Sequence, residues 1–159
     1  MASALAPASE ALATPAVLVA QDAAAWDDLP GWRALLQRHE SLFAPWVEGG
    51  AIGLVERAVA DAGAGRMLVW VRMGGATQVQ WRDYRGFADC GVAVLFVAQP
   101  GALAAVHARL HDNALGQMKL QLRQGGMLLY VLVAKAQLLD EGFEDFLESL
   151  GLAFMGACR

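Results

Sequence analysis

Residues 67–82 read MLVWVRMGGATQVQWR. An apolar run, Leu68 to Val71, stops at Gly74-Gly75 and resumes as a strict alternation. Val79 and Trp81 fall on one side of it, Gln78 and Gln80 on the other. A period of two is the mark of a half-exposed strand, and two such runs around a glycine pair read as a β-hairpin. Downstream, residues 91–98 read GVAVLFVA, a nearly continuous apolar run that predicts a central strand covered on both faces. Pro100-Gly101 breaks that strand and opens a helix of about four turns, with Leu103, Val106, Leu110 and Ala114 facing inward. Met118–Arg123 and Met127–Val133 flank Gly125-Gly126 and read as a second hairpin. The last element, Gln137–Leu150, carries Leu139, Phe143, Phe146 and Leu150 on one helical stripe and Glu141, Glu144, Asp145 and Glu148 opposite.

Upstream, Asp27 or Asp28 is placed to cap a helix starting near Pro30, and Trp32, Leu35, Leu36, His39 and Phe43 recur at helical spacing. Pro45 ends or kinks that helix. Ile52, Val55 and Val59 predict a second helix over 52–62, closed at Gly63–Gly65. Residues 1–25 are Ala-rich with Pro7 and Pro15, and read as a flexible tail in which 16–20 form an edge strand. The order is then α(α)βββαββα over residues 26–159. That predicts a single α+β domain with one antiparallel sheet and helices packed on it.

Composition narrows the function classes. Of 159 residues, 57% are hydrophobic and 18% charged, which excludes general disorder. The net charge is −4, and the 12 basic residues are scattered, so neither a nucleic-acid backbone nor an anionic membrane surface meets a basic stripe. The excess of Arg over Lys and the abundance of Ala read as a GC-rich bacterial gene. Cys90 and Cys158 are too few for a disulfide framework and fit a reducing compartment. The longest apolar runs have about half the length of a membrane-spanning helix. No Lys or Arg precedes Arg33, so the charged start of a signal peptide is missing. The expectation is a cytoplasmic protein with no membrane insertion.

Chemical motifs are few. His107 and His111 would share a helical face, as two zinc ligands do, but residue 108 is Ala where a metalloprotease carries Glu. A third ligand would have to be Asp112, Cys90 or His39. A pair of polar residues beside a buried stripe is the simpler reading. Cys90 has no neighbouring base or charge in sequence to activate it and reads as a buried thiol. The glycines of 49–53 and 63–65 lack the strand-before, helix-after context of a phosphate loop and read as turns. The charged loop 82–85 reads as solvated, and Glu144, Asp145 and Glu148 as the wet face of the last helix. No catalytic residue, metal or cofactor is expected. Five Trp (26, 32, 46, 70 and 81) are more than a small core demands, which suggests an apolar groove that receives another chain.

From Gly91 onward the pattern resembles the type III secretion chaperone family and the YbjN-like proteins that share its fold. The apolar strand, a helix ending with Leu110 and Asn113 in the family's Leu-x-x-Asn arrangement, two strands about Gly125-Gly126, and the amphipathic last helix carry the resemblance. It covers about 70 residues and rests on element order, not on a diagnostic motif. The long tail and the Pro45-broken first helices depart from it. The resemblance implies a non-catalytic homodimer that holds an extended segment of a secreted client protein. Trp32, Leu36, Phe43, Val69, Val71, Val79 and Trp81 would then line the client groove. Leu103, Leu110, Met118, Leu120 and Leu122 would form the dimer face. Two other classes compete: a small-molecule- or metal-binding domain or enzyme using the His107/His111 region and Cys90, and a roadblock-like regulatory domain.

Overall fold

Gly74 and Gly75 both take positive φ, 62° and 80°. Those angles define the primed two-residue turn whose twist matches that of the strands it joins. In this computed structural model, which describes residues 15–152, the hairpin comprises β2 (Gly65–Met73) and β3 (Ala76–Tyr84). Its register runs from Gly65 opposite Tyr84 to Met73 opposite Ala76. The run at 91–98 supplies β4 (Val94–Ala98), buried along its whole length.

The first half of the segment read as a second helix is a strand. Ala51–Glu56 forms β1, and only Arg57–Ala62 is helical. Ile52, Val55 and Val59 fit a helical stripe, but 51–55 is also an unbroken apolar run, and every residue of it is buried. A run covered on both faces carries no periodicity to separate strand from helix. Gly53 suits the strand: a Cβ there would lie 2.6 Å from the Met67 sulfur and 3.3 Å from Leu95. β1 pairs antiparallel with β2 and parallel with β4, Ile52 beside Val94 through Glu56 beside Ala98. β5 (Met127–Val131) pairs antiparallel with β4. The fold is α+β, built on one five-stranded sheet of order β3-β2-β1-β4-β5. The sheet is mixed, not wholly antiparallel, because the added strand β1 lies alongside β4.

The described helices are α1 (Pro15–Asp27), α2 (Leu29–Arg38), α3 (Glu40–Phe43), α4 (Arg57–Ala62), α5 (Ala102–His107), α6 (Ala114–Gln124), α7 (Lys135–Asp140) and α8 (Glu144–Ser149). Most pack on the sheet face carrying Ile52, Leu54, Leu68, Trp70, Val94 and Phe96. The opposite face, with Val55, Met67, Val69, Val71, Leu95 and Val97, is covered by Val59 and Ala60 of α4 and by Cys90 and Val92 of the β3–β4 connection.

Four further expectations are corrected. Residues 118–123 are helix α6 and not a strand: Ala114 and Met118, four apart, are buried, while Leu120 is exposed. The alternation of Met118, Leu120 and Leu122 mimicked a strand, and Gly125, at φ 82°, caps a helix instead of turning a hairpin. The helix after Gly101 stops at His107. The terminal helix is split into α7 and α8 at Gly142, whose φ is +87°. A Cβ at Gly142 would fall 2.0 Å from the Pro45 carbonyl oxygen, so the chain crosses there in contact with backbone. Residues 15–25, placed in the tail by the sequence reading with 16–20 as an edge strand, are helical and belong to α1; residues 1–14 and Cys158 lie outside the described residues.

α1, α2 and α5 are clasped together by polar groups. Asp28 caps α2, accepting the Gly31 N–H at 3.0 Å, and its other oxygen meets His107 Nε2 at 2.9 Å. The His107 ring lies 5.7 Å from Trp32, whose indole N–H donates to the Ala25 carbonyl at 2.7 Å. Arg38 donates to the Leu110 carbonyl.

This packing has measurable consequences. The hydrogen bond from His107 holds the Asp28 carboxyl below its usual 3.8. A depressed carboxyl contributes stability that is complete above the unfolded value and is lost as pH falls through the folded one. Asp28→Ala is expected to cost about 1 kcal/mol for the cap, with under about 1 kcal/mol more for a pair that is a third exposed. The difference from the parent, read by urea unfolding, should be full at pH 6 and shrink below pH 4; a difference independent of pH would remove the ion pair from the account. Gly142→Ala combines strain with a backbone collision and should cost on the order of 3 kcal/mol. Gly74→Ala, with open space around its Cβ, should cost about 1 kcal/mol. Equal unfolding midpoints for the two variants would contradict the close approach at Pro45.

Candidate functional site

β1 and β4 run side by side in the same direction and end together at Glu56 and Ala98. Beyond that point their chains part. After β1 the chain enters α4, whose Val59 and Ala60 pack under one sheet face. After β4 it enters α5, whose Ala102, Leu103 and Val106 pack on the other. Where neighbouring parallel strands send their connections to opposite faces, a crevice is left beyond their carboxyl ends. Here α1 roofs that crevice and makes a cleft of about 370 Å³. Val19, Asp22, Ala23, Trp26 and Asp27 line it from α1, and Ala98, Gln99 and Pro100 from the end of β4. Glu56, Arg57 and Ala58 close one side, with Arg66 of β2.

The wall is aromatic and the rim is charged. Trp26 is buried and packs 6.4 Å from Trp81, and the Arg66 guanidinium stands 3.9 Å over the Trp81 ring. Arg66 also pairs with Asp27 at 3.2 Å. Arg57 is bound through Nε to Asp61, at 3.0 Å. Asp22 accepts the Gly101 N–H through Oδ2 at 2.7 Å, which ties α1 to the start of α5. Its Oδ1 is buried without a hydrogen-bond partner among the described residues. The lining therefore offers apolar and aromatic contact, carboxylates and guanidinium groups, and no hydroxyl, thiol or imidazole among the described residues.

The residues singled out from sequence lie elsewhere. Trp32, Leu36, Phe43 and Val79 are buried in the helix-covered core, with Trp81 half-buried at its margin. Val69 and Val71 are buried under the opposite face. The sheet itself separates these two sets, so they do not line one groove. Leu103, Leu110 and Met118 are also core residues; Leu122 is half-buried against them, and Leu120 is exposed. His107 and His111 do not share a helix, because α5 ends at His107. His107 is engaged by Asp28, and among the described residues no three His, Cys, Asp or Glu side chains are grouped to hold a metal. His107 borders a shallower groove of about 390 Å³ between α1 and α5, lined mainly by alanines. Cys90 is buried, with its thiol directed at the Phe87 carbonyl. Burial pushes the neighbouring Tyr84 hydroxyl up, with the Cys90 side chain a smaller influence in the same direction. Both groups belong to the covered face.

Sequence reasoning missed the cleft because it is assembled from four separate stretches and depends on a strand read as a helix. The available signal was the 51–55 run, apolar at every position like 92–98. Among the described residues no helix is long and apolar enough to cross a membrane.

No family model and no curated protein matches the chain. Two solved structures do. One is a conserved hypothetical protein of Thermus thermophilus, described as a candidate sterol carrier protein: 18% identity, TM-score 0.41, with 79% of this chain and 84% of the other covered. The second is sterol carrier protein 2: 18% identity, TM-score 0.39, with 82% of this chain and 95% of the other covered. Neither is a secretion chaperone. The resemblance to the type III secretion chaperones, with its extended client and its homodimer, is withdrawn: the residues that would have formed the groove are buried or half-buried on two sides of the sheet.

Proposed function

We propose that the protein is a non-catalytic, cytoplasmic small-molecule-binding domain whose ligand lies between α1 and the carboxyl ends of β1 and β4. The observation that carries this reading is the divergence of α4 and α5 at the only described parallel strand pair, which creates a concave site by topology. The volume sits at the low end of the range of about 300–1,000 Å³ typical of ligand sites, so the ligand is small. Trp26, the alanines and Pro100 give it an apolar bed. The charged rim orients it. The groove beside His107 is second to this site, since the imidazole there is already committed to Asp28.

A screen of small amphipathic compounds followed by amide chemical shifts tests the reading. Binders should move the signals of Ala23, Trp26, Glu56, Arg66 and Gln99 together and quench the Trp26 contribution to fluorescence. Ala23 is exposed on α1, so Ala23→Trp should fill the cleft with little change in stability and weaken binding at least tenfold. Binders that shift only residues around His107, or that ignore Ala23→Trp, would place the site elsewhere.

A further inference from the structure

The charges around the cleft do not cancel. Arg66 is matched by Asp27 on the rim, and Arg57 by Asp61 just outside it. Both guanidinium groups are thus already paired. On the lining this leaves Asp22 and Glu56 without a cationic partner among the described residues. Asp22 is the more telling of the two. Its Oδ2 is used by the Gly101 N–H, and its Oδ1 is buried with no donor. A buried acceptor left unmatched is unfavourable, so a ligand that brings an N–H to it gains a hydrogen bond on binding. A carboxylate facing an ammonium or guanidinium forms the stronger, charge-assisted kind of bond. Beside these carboxylates stands the buried face of Trp26, which suits an apolar or aromatic body attached to the charged head.

We infer that the ligand of this cleft is a small organic cation, a primary amine or guanidine on an apolar body, whose head is received by Asp22 and Glu56. This rests on the cleft being the binding site. A negatively charged ligand is disfavoured by the same arrangement. It would meet guanidinium groups whose charge is already offset by Asp27 and Asp61, and it would bring a second charge of the same sign toward Asp22.

Three probes of one shape decide the matter: 2-phenylethylamine, 2-phenylethanol and 3-phenylpropanoate, titrated into the full chain at pH 7 and read by amide shifts at Trp26 and Glu56. The expected order is amine first, by at least tenfold over the alcohol, with the carboxylate weakest. Asp22→Asn keeps an acceptor for the Gly101 N–H, so the fold is retained. It should lower amine affinity about tenfold and leave alcohol affinity unchanged, while Glu56→Gln should act in the same direction with a smaller effect. Equal binding of amine and alcohol, or preference for the carboxylate, would overturn the inference and leave the cleft reading standing. Shifts from none of the three, with Ala23→Trp also without effect on any compound found in the broader screen, would overturn both.

Discussion

The parallel pairing of β1 with β4 is the constraint on which the rest of the structure depends. It puts β1 in the middle of the sheet, between β2 and β4. A strand in that place is covered on both faces, so 51–55 is apolar at every position rather than at alternate ones. It also requires close packing above the strand, which Gly53 permits by leaving room for Met67 and Leu95. The chain leaving β3 then has to pass β2 and β1 before it enters β4. That passage covers the second sheet face, with Cys90 and Val92 buried in it.

The helix-covered face is organised around aromatic side chains. Phe43 meets Trp46 and Trp70 edge-on, at centroid distances of 5.1 and 6.1 Å, and Phe146 touches Phe43, Trp46, Trp70 and Phe96. Edge-to-face contacts of this kind add about 0.5–1.5 kcal/mol each beyond the area they bury. They hold helices as short as α3 and α8 in place, which have too few turns to be stable alone. The indole N–H groups of Trp46 and Trp70 have no hydrogen-bond partner within this cluster. Each such loss is worth about 1–3 kcal/mol, and burial of a large ring is what offsets it. Trp32 spans the two parts of the molecule: it touches Trp70 in the core and His107 in the clasp. Trp26 alone among the five lines the cleft, with Trp81 packed against it.

Much of this was legible in the sequence where a local rule and the tertiary structure agree. The hairpin at 67–82 declares itself through Gly74-Gly75 and the alternation after it, and Asp28 caps the helix that Pro30 helps to start. Reading failed where one pattern serves two structures. Ile52, Val55 and Val59 match a helical stripe, and Ile52 and Val55 equally match a doubly buried strand. Met118, Leu120 and Leu122 alternate, yet only Met118 is buried. The stripe from Leu139 to Leu150 is continuous in sequence but interrupted by Gly142, whose role is fixed by Pro45, a residue far away in the chain. The tryptophans were visible, but whether a large ring is core or surface depends on what folds over it. The cleft was hidden for the same reason: Asp22, Glu56, Arg66 and Gln99 have no sequence relation to one another.

Along the chain, β1, β2 and β3 form one contiguous meander over 51–84, and β4 and β5 form a second unit over 94–131. The hydrogen bonds between β1 and β4 are the seam that makes these two units one sheet. Strand residues across that seam are about forty positions apart, against two turn residues inside the hairpin, so the seam is the contact of high loop entropy and should close late in folding. It is also where opening of the folded state would begin at least cost to either unit. A molecule seated at the ends of β1 and β4 touches both sides of the seam at once. It would act there as a rivet, adding a tie across the joint, and its presence would be felt as slower exchange of the amides of Ile52 to Glu56 and Val94 to Ala98.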